Sequence, residues 1–356
     1  MKRIFLLLIL VIFVGGLLIW QSERRTKPSQ PVPPAGYTLE VYAQSLDDPR
    51  VIAFDPQGRM LVSETSAGRV TLVTPDRKVL LEELDNPHGL AFYEDRSDRS
   101  YTTYLYVATT LEVARYAYDV ATATVDIASK KNIVDLPKGG KHFIRTIGFG
   151  KDFRDAPIIE GLSRESFLSP IKLYVSVGSS CDACLENSWK YASILESDSK
   201  GTYTAEVAGG LRNSEFFTFH PTTGELWASE QSRSRFPDEI NIIKPPLKYG
   251  WPYCYGNQMW DTTFTETTDR TDLPMDCTRT EPPVIELPEN ANPRGIVFLS
   301  PTELLVAYQD KIVLFDEQHQ PSDFMNGSFA DLKIDSHGDL FISDDSAGII
   351  YRVSRP

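Results

Sequence analysis

Past residue 36 the apolar positions fall in short runs and not on helical stripes. The runs are rich in Val, Ile, Leu, Phe and Tyr and are broken by Gly, Pro, Asp and Asn. That is the pattern of strands and turns. A longer phrase recurs: a polar residue, a run ending near Phe, a turn, a second run. Its copies are RVIAFDPQGRMLVSE from Arg50, HGLAFYED with LYVATT from His88, and RTIGFG with LYVSVGSS from Arg145. FFTFHPTTGELWASE from Phe216, RGIVFLSPTELLVAY from Arg294 and ADLKIDSHGDLFISDD from Ala330 complete the set. Six copies predict radial repetition, an all-β six-bladed propeller, over residues 37–356. A twelve-strand sandwich is the plainer alternative. The turns DPQG, HPTTG and DSHG put Gly where positive φ is wanted. Unequal spacing predicts large loops within 151–170 and 255–290.

The first residues break this pattern. Lys2 and Arg3 precede Ile4–Trp20, which is apolar apart from Gly15 and Gly16. Its length suits a short N-terminal transmembrane helix, and no small-x-small cleavage signal follows. Residues 1–22 are therefore read as a membrane anchor, with a cleaved signal segment as the alternative. Residues 23–36, with prolines at 28, 31, 33 and 34, read as an extended linker.

Charge narrows the partners. The net charge of −13 argues against nucleic acid, whose phosphates need a basic surface. The four cysteines, Cys181, Cys184, Cys254 and Cys277, lack the two close pairs of a zinc site. With an export-type N-terminus they read as disulfides, 181–184 and 254–277 being the favoured pairing, and place the domain on the extracytoplasmic side.

The repeats also locate a site. Aligned on Phe54, Phe92, Phe149, Phe219, Phe298 and Ile334, the residues four positions earlier are Arg50, His88, Arg145, Glu215, Arg294 and Ala330. Seven positions earlier, His142 matches Arg212. Equivalent positions in a propeller share one height, so these groups should gather at one mouth of the channel. A charged ring there suggests a polar ligand; a solvated ring of loops is the simpler reading.

Several segments go further. KHFIRTIGFG, LYVSVGSSCDAC, GLRN at Gly210, FHPTTGELW, DEIN at Asp238, YGWPYC at Tyr249 and the closing GDLFISDDSAGIIYRV together resemble the glucose/sorbosone dehydrogenase family, most closely its sorbosone-dehydrogenase-like members. The resemblance covers roughly residues 37–356. It implies a six-bladed propeller carrying pyrroloquinoline quinone and Ca²⁺ that oxidises a sugar hydroxyl or aldehyde hydrate, with hydride passing to the quinone. It gives His142 the role of general base, and Arg212 and Asn213 contact with the cofactor. The Gln231–Asp238 loop resembles one whose carbonyls hold the cofactor-linked calcium. Glu239 and the Tyr249 carbonyl, next to Asp238, resemble a second calcium site. Imidazole suits proton abstraction near neutral pH, and a cation or guanidinium suits charge developing on a quinone.

The chain departs from the family after residue 290. Lys311 is the nearest candidate for a cofactor lysine. Where arginines reach the cofactor in relatives, Ser328 and Ala330 stand here. Arg50, Arg145 and Arg294 are the candidates to compensate. The sequence thus predicts a quinoprotein-type sugar dehydrogenase with a small-molecule carbohydrate substrate. A non-catalytic surface propeller that binds carbohydrate or protein is the alternative, and a lactonase-type hydrolase the third reading.

Overall fold

The computed structural model describes residues 31–98, 100–152, 171–267 and 276–355. The anchor expected at residues 1–22 lies outside them, as does most of the loop 151–170. Among the described residues no helix is long and apolar enough to cross a membrane, and helix is limited to one 3₁₀ turn, Cys277–Arg279.

Six four-stranded antiparallel sheets form the expected blades. Blades 1 to 5 span 49–81, 90–135, 147–209, 216–289 and 296–326. Blade 6 takes Leu332–Ile334, Leu340–Asp344 and Ile349–Ser354, and its outer strand is Thr38–Gln44 from the other end of the chain. Thr38 pairs with Ser354, so the ring closes by non-covalent pairing of the two ends of the domain, which begins at Pro33. The second strands are buried on both faces, Met60–Glu64 and Leu226–Glu230 throughout. That is why they open on consecutive apolar residues with no alternation, and their polar ends, Ser63, Glu64, Ser229 and Glu230, are buried too. Gly58 and Gly338 have φ of +77° and +87° in the turns where Gly was expected.

The innermost strands of neighbouring blades pack around the axis, and backbone hydrogen bonds join them near its upper end. The Arg50 carbonyl accepts from Ser343 Oγ of blade 6 (3.1 Å), and that of Arg145 from the Gly89 N–H of blade 2 (2.9 Å). The Glu215 carbonyl accepts from Thr146 Oγ1 (2.7 Å), that of Arg294 from Ser229 Oγ (2.7 Å) and that of Ala330 from the Gly295 N–H (2.9 Å). Two junctions need glycine: a Cβ on Gly89 would lie 2.6 Å from the Arg145 oxygen, and one on Gly295 2.8 Å from that of Ala330. Below this level a cavity of roughly 260 Å³, lined by Phe54, Phe92, Phe149 and Phe219 among others, runs down the axis.

Both expected disulfides are present, Cys181–Cys184 and Cys254–Cys277. The second closes the long insertion between the third and fourth strands of blade 4. That insertion folds back on blade 3, where the Tyr249 and Trp251 N–H groups donate to the carbonyls of Gly209 and Gly210, each at 3.0 Å.

Candidate functional site at the propeller mouth

The aligned ring residues meet as expected, and their charges interlock. Blades 1 and 4 stand opposite each other, yet Arg50 Nη1 reaches Glu215 Oε1 at 3.0 Å across the axis. Asp345, in the loop after a blade 6 strand, lies 3.6 Å from Arg50 and 3.2 Å from Arg294. Gln231 Nε2 donates to Glu215 Oε2 (3.0 Å), and Asn213 Nδ2 to Gln231 Oε1 (2.9 Å). Arg145 differs from these. It is fully buried, and its Nη1 donates to the carbonyls of His142 (2.8 Å) and Ile144 (3.1 Å). Its Nε and Nη2 have no partner among the described residues, nor have Arg50 Nε and both nitrogens of His88. Burial and the charges of Arg50 and Arg145 push the His88 imidazole down to about 3, so it is neutral.

His142, Arg212 and Asn213 converge on one turn of blade 3. A Cβ on Gly178 would collide with His142 Cβ at 2.5 Å and Asn213 Oδ1 at 2.8 Å, so only glycine lets the two approach. The Ser179 N–H donates to the Arg212 carbonyl (2.7 Å). His142 Nδ1 faces Ser179 Oγ (2.8 Å) and the Ser179 carbonyl (3.2 Å). Burial, then the Arg212 charge, push His142 down to about 4, with Lys141 adding to the effect and Asp182 opposing it. Arg212 is held on most sides: Nε on the Asp182 carbonyl (3.0 Å), Nη1 on the carbonyls of Gln231 (3.0 Å) and Ser232 (3.1 Å), and Nη2 on Asp182 Oδ1 (2.7 Å). Asp182 also pairs with Lys141 (2.9 Å) and Arg233 (3.1 Å).

The expected metal residues separate into two places. Adjacent strand residues point to opposite faces, so Asp238 and Glu239 do not face one ion. Asp238 accepts from the Ser232 N–H (2.7 Å) and the Asn292 N–H (2.8 Å) and serves as a brace for its loop. The Gln231 and Ser232 carbonyls turn to the Arg212 guanidinium, whose charge would repel a calcium ion on the same oxygens. Glu239 sits opposite Glu230 in the strand ladder, and both are buried. Burial, with Glu230 beside it, pushes Glu239 up to about 8, and burial pushes Glu230 up to about 7. Glu239 accepts from the Gly256 N–H and Asn241 Nδ2, while Asn241 Oδ1 is buried without a partner. Tyr249 is buried nearby, its hydroxyl bound to the Ile242 carbonyl (2.6 Å).

Lys311 is not at the mouth. It opens the third strand of blade 5, and its ammonium pairs with Asp323 of the fourth (2.7 Å), lining a groove between blades 4 and 5. The position of Ala330 is occupied by a buried methyl group and Ser328 is exposed, so blade 6 brings no guanidinium. Sequence reasoning named the Gln231–Asp238 loop, which carries Gln231 and Arg233, but missed Ser179, Asp182 and Asp345. Asp182 had one local signal, its place inside the CxxC.

The TrAA12-like family model matches residues 31–245, more than half of the chain, and the glucose/sorbosone dehydrogenase model matches residues 197–343. An uncharacterized protein of Borreliella burgdorferi is 25% identical over 79% of this chain and 70% of its own. A pyrroloquinoline quinone-dependent sugar dehydrogenase of Hypocrea jecorina is 25% identical over 72% of this chain, which spans 65% of that protein's length. Among solved structures, the calcium form of a Trichoderma reesei family AA12 carbohydrate-active enzyme superposes with a TM-score of 0.73 at 21% identity, covering 92% of this chain and 97% of the other. The holo pyranose dehydrogenase PQQ domain of Coprinopsis cinerea gives 0.70 at 17% identity, covering 92% and 98%. These structures share the six-bladed fold, and the matches do not single out a sorbosone-type branch. By the match over more than half its length, the chain belongs to the TrAA12-like family, with a glucose/sorbosone dehydrogenase region in its C-terminal half.

Proposed function

We propose that this protein is a quinoprotein-type oxidoreductase that binds pyrroloquinoline quinone at the mouth and oxidises a sugar or sugar-like alcohol or aldehyde hydrate. The observation that carries the reading is the meeting of a neutral, half-buried His142 with Arg212 and Asn213. His142 Nδ1 faces a carbonyl oxygen, which can only accept, so Nδ1 holds the proton and Nε2 keeps its lone pair. Nε2 is then the atom that takes a proton from a substrate hydroxyl. The donor set suits a ligand with several carboxylates. Arg145 is a buried guanidinium with no carboxylate partner among the described residues, and its free N–H groups call for an anionic acceptor. Arg212 keeps one N–H of Nη2 uncommitted once its four hydrogen bonds are made. When bound, the quinone would supply the two-electron acceptor. The Arg145, Arg212 and Arg50 guanidiniums would hold its negative charge.

Calcium belongs to this proposal at Glu239 with the Tyr249 carbonyl, where a divalent ion would relieve the repulsion between Glu230 and Glu239. The two disulfides support placing the domain outside the cytoplasm, held there by residues 1–22. A second reading, a surface propeller that binds carbohydrate or protein without catalysis, draws support from Arg50 and Arg294. Glu215 and Asp345 already neutralise them.

The test is titration of purified protein with pyrroloquinoline quinone and Ca²⁺, followed by quinone absorbance and by dye reduction with a panel of aldoses. Saturable binding with sugar-dependent reduction is expected. His142→Ala should abolish turnover and keep the absorbance change, whereas Arg212→Ala should weaken binding. No quinone binding at all would move the assignment to the surface-binding reading.

A further inference from the structure

We propose that the short loop closed by Cys181–Cys184 is a redox-sensitive clamp that positions the site, setting the His142 tautomer through Ser179 and the Arg212 side chain through Asp182. For activity, this rests on the oxidoreductase reading; the positioning itself does not.

The first link is one hydroxyl proton. Ser179 Oγ donates it to the Cys181 carbonyl at 2.7 Å. A serine hydroxyl has no second proton. Toward His142 Nδ1, 2.8 Å away, Oγ can therefore only accept, and Nδ1 must donate. The Cys181 carbonyl thus reinforces, two hydrogen bonds away, the tautomer that the Ser179 carbonyl at 3.2 Å also demands, with Nε2 free. The same loop carries Asp182 between the two cysteines. Its carboxylate and carbonyl hold Arg212, and the carboxylate also takes Lys141 and Arg233. One covalent ring therefore carries contacts to both the imidazole and the guanidinium next to it. Ser179 and Asp182 act here as positioning residues.

The disulfide is placed to respond. Cys181 and Cys184 are half-buried, while Cys254 and Cys277 are buried. A dithiol reductant would reach the first pair sooner. Two electrons and two protons from the reductant break the S–S bond and leave two thiols, and the reductant closes its own disulfide. The Cys181 carbonyl and Asp182 then lose the ring that constrains them. The charged groups facing His142 are Arg212, Lys141, Asp182 and Arg145. Opening the loop admits water beside them and removes the main cause of the depressed imidazole.

The experiment uses full-length protein labelled with ¹⁵N-histidine, oxidised and after brief dithiothreitol treatment, with alkylation and mass spectrometry to confirm that only Cys181 and Cys184 have opened. Two-dimensional ¹H–¹⁵N spectra report the tautomer of each of the five histidines, and His142→Asn assigns the signal. In oxidised protein His142 is expected as a pure Nδ1–H tautomer. After reduction and in Cys181→Ser/Cys184→Ser it should become a tautomer mixture titrating near the ordinary 6.5, whereas Ser179→Ala, which keeps the Ser179 carbonyl, should keep the Nδ1–H form. If the protein turns over sugar, kcat/KM at pH 5 should then fall about thirtyfold on reduction, the ratio of neutral imidazole for a base at about 4 against one near 6.5. An unchanged Nδ1–H signal after selective reduction and in Cys181→Ser/Cys184→Ser overturns the proposal. Absence of turnover in every form counts against the oxidoreductase reading, and the tautomer still decides this one.

Discussion

The ion pair across the axis offers a quantitative test of how the mouth is held. Arg50 and Glu215 come from opposite blades, meet at 3.0 Å, and have side chains only 13% and 5% exposed. At an effective dielectric constant of about 20, two unit charges at this distance attract by about 5 kcal/mol. Desolvation offsets most of that, so the net worth of the pair is small, but leaving one partner alone costs about 3 to 5 kcal/mol. Arg50 retains Asp345 at 3.6 Å, which puts Glu215→Ala at the lower end, about 3 kcal/mol. Arg50→Met/Glu215→Leu removes both charges and fills the space. It should therefore be less destabilising than the sum of Arg50→Met and Glu215→Leu by about 1.5 kcal/mol or more. Urea unfolding of the four proteins, followed by tryptophan fluorescence, gives the cycle. Additivity within about 0.5 kcal/mol would mean that the two residues do not act as a pair, and that nothing at this level ties blade 1 to blade 4.

Cys254→Ser/Cys277→Ser should lower stability by about 3 kcal/mol, because it frees a loop of 23 residues' separation in the unfolded chain; an unchanged urea midpoint would contradict this. His88 gives a pH signature. Its folded value of about 3 is depressed below the unfolded 6.5, so its stability contribution is present above 6.5 and is lost as pH falls toward 3. Between pH 7.5 and 5 the parent should lose about 2 kcal/mol relative to His88→Phe, and parallel stability curves for the two proteins would refute it.

The sequence displayed whatever is periodic. Six copies of one phrase predicted six blades, and their alignment brought Arg50, Glu215 and Arg294 together. The even cysteine count led to the two disulfides. Three kinds of information left no periodic mark. The outer strand of blade 6, TLEVYAQ, reads as a strand, but its partner lies at the far end of the chain and local pattern does not encode such pairing. Asp182, Ser179 and Asp345 sit in loops, where neither a two-residue nor a 3.6-residue rhythm applies. Asp238 and Lys311 have the right chemistry for their expected roles, but strand alternation and the third-strand position turn them elsewhere.

The construction of the mouth explains why it can diverge without loss of the fold. The bonds that join neighbouring blades at ring height use the carbonyls of Arg50, Arg145, Glu215, Arg294 and Ala330, met by Ser, Thr or Gly from the preceding blade. None of these carbonyl bonds uses a ring side chain, so they form with Ala330 in blade 6 as well as with arginine in blade 1; Arg50 and Arg294 add side-chain pairs to Asp345 of blade 6. What the substitutions alter is charge. Arg50, Arg294, Arg212, Arg233 and Lys141 face the carboxylates of Glu215, Asp345, Asp182 and Asp261, and Arg145 faces none among the described residues. The mouth keeps a positive excess on a chain whose net charge is −13. A positive mouth on an acidic protein focuses its field on anions. A neutral sugar gains nothing from that field, whereas an anion does. The charge at the mouth is therefore suited to an anionic ligand, with Arg145 as the guanidinium that no carboxylate pairs among the described residues.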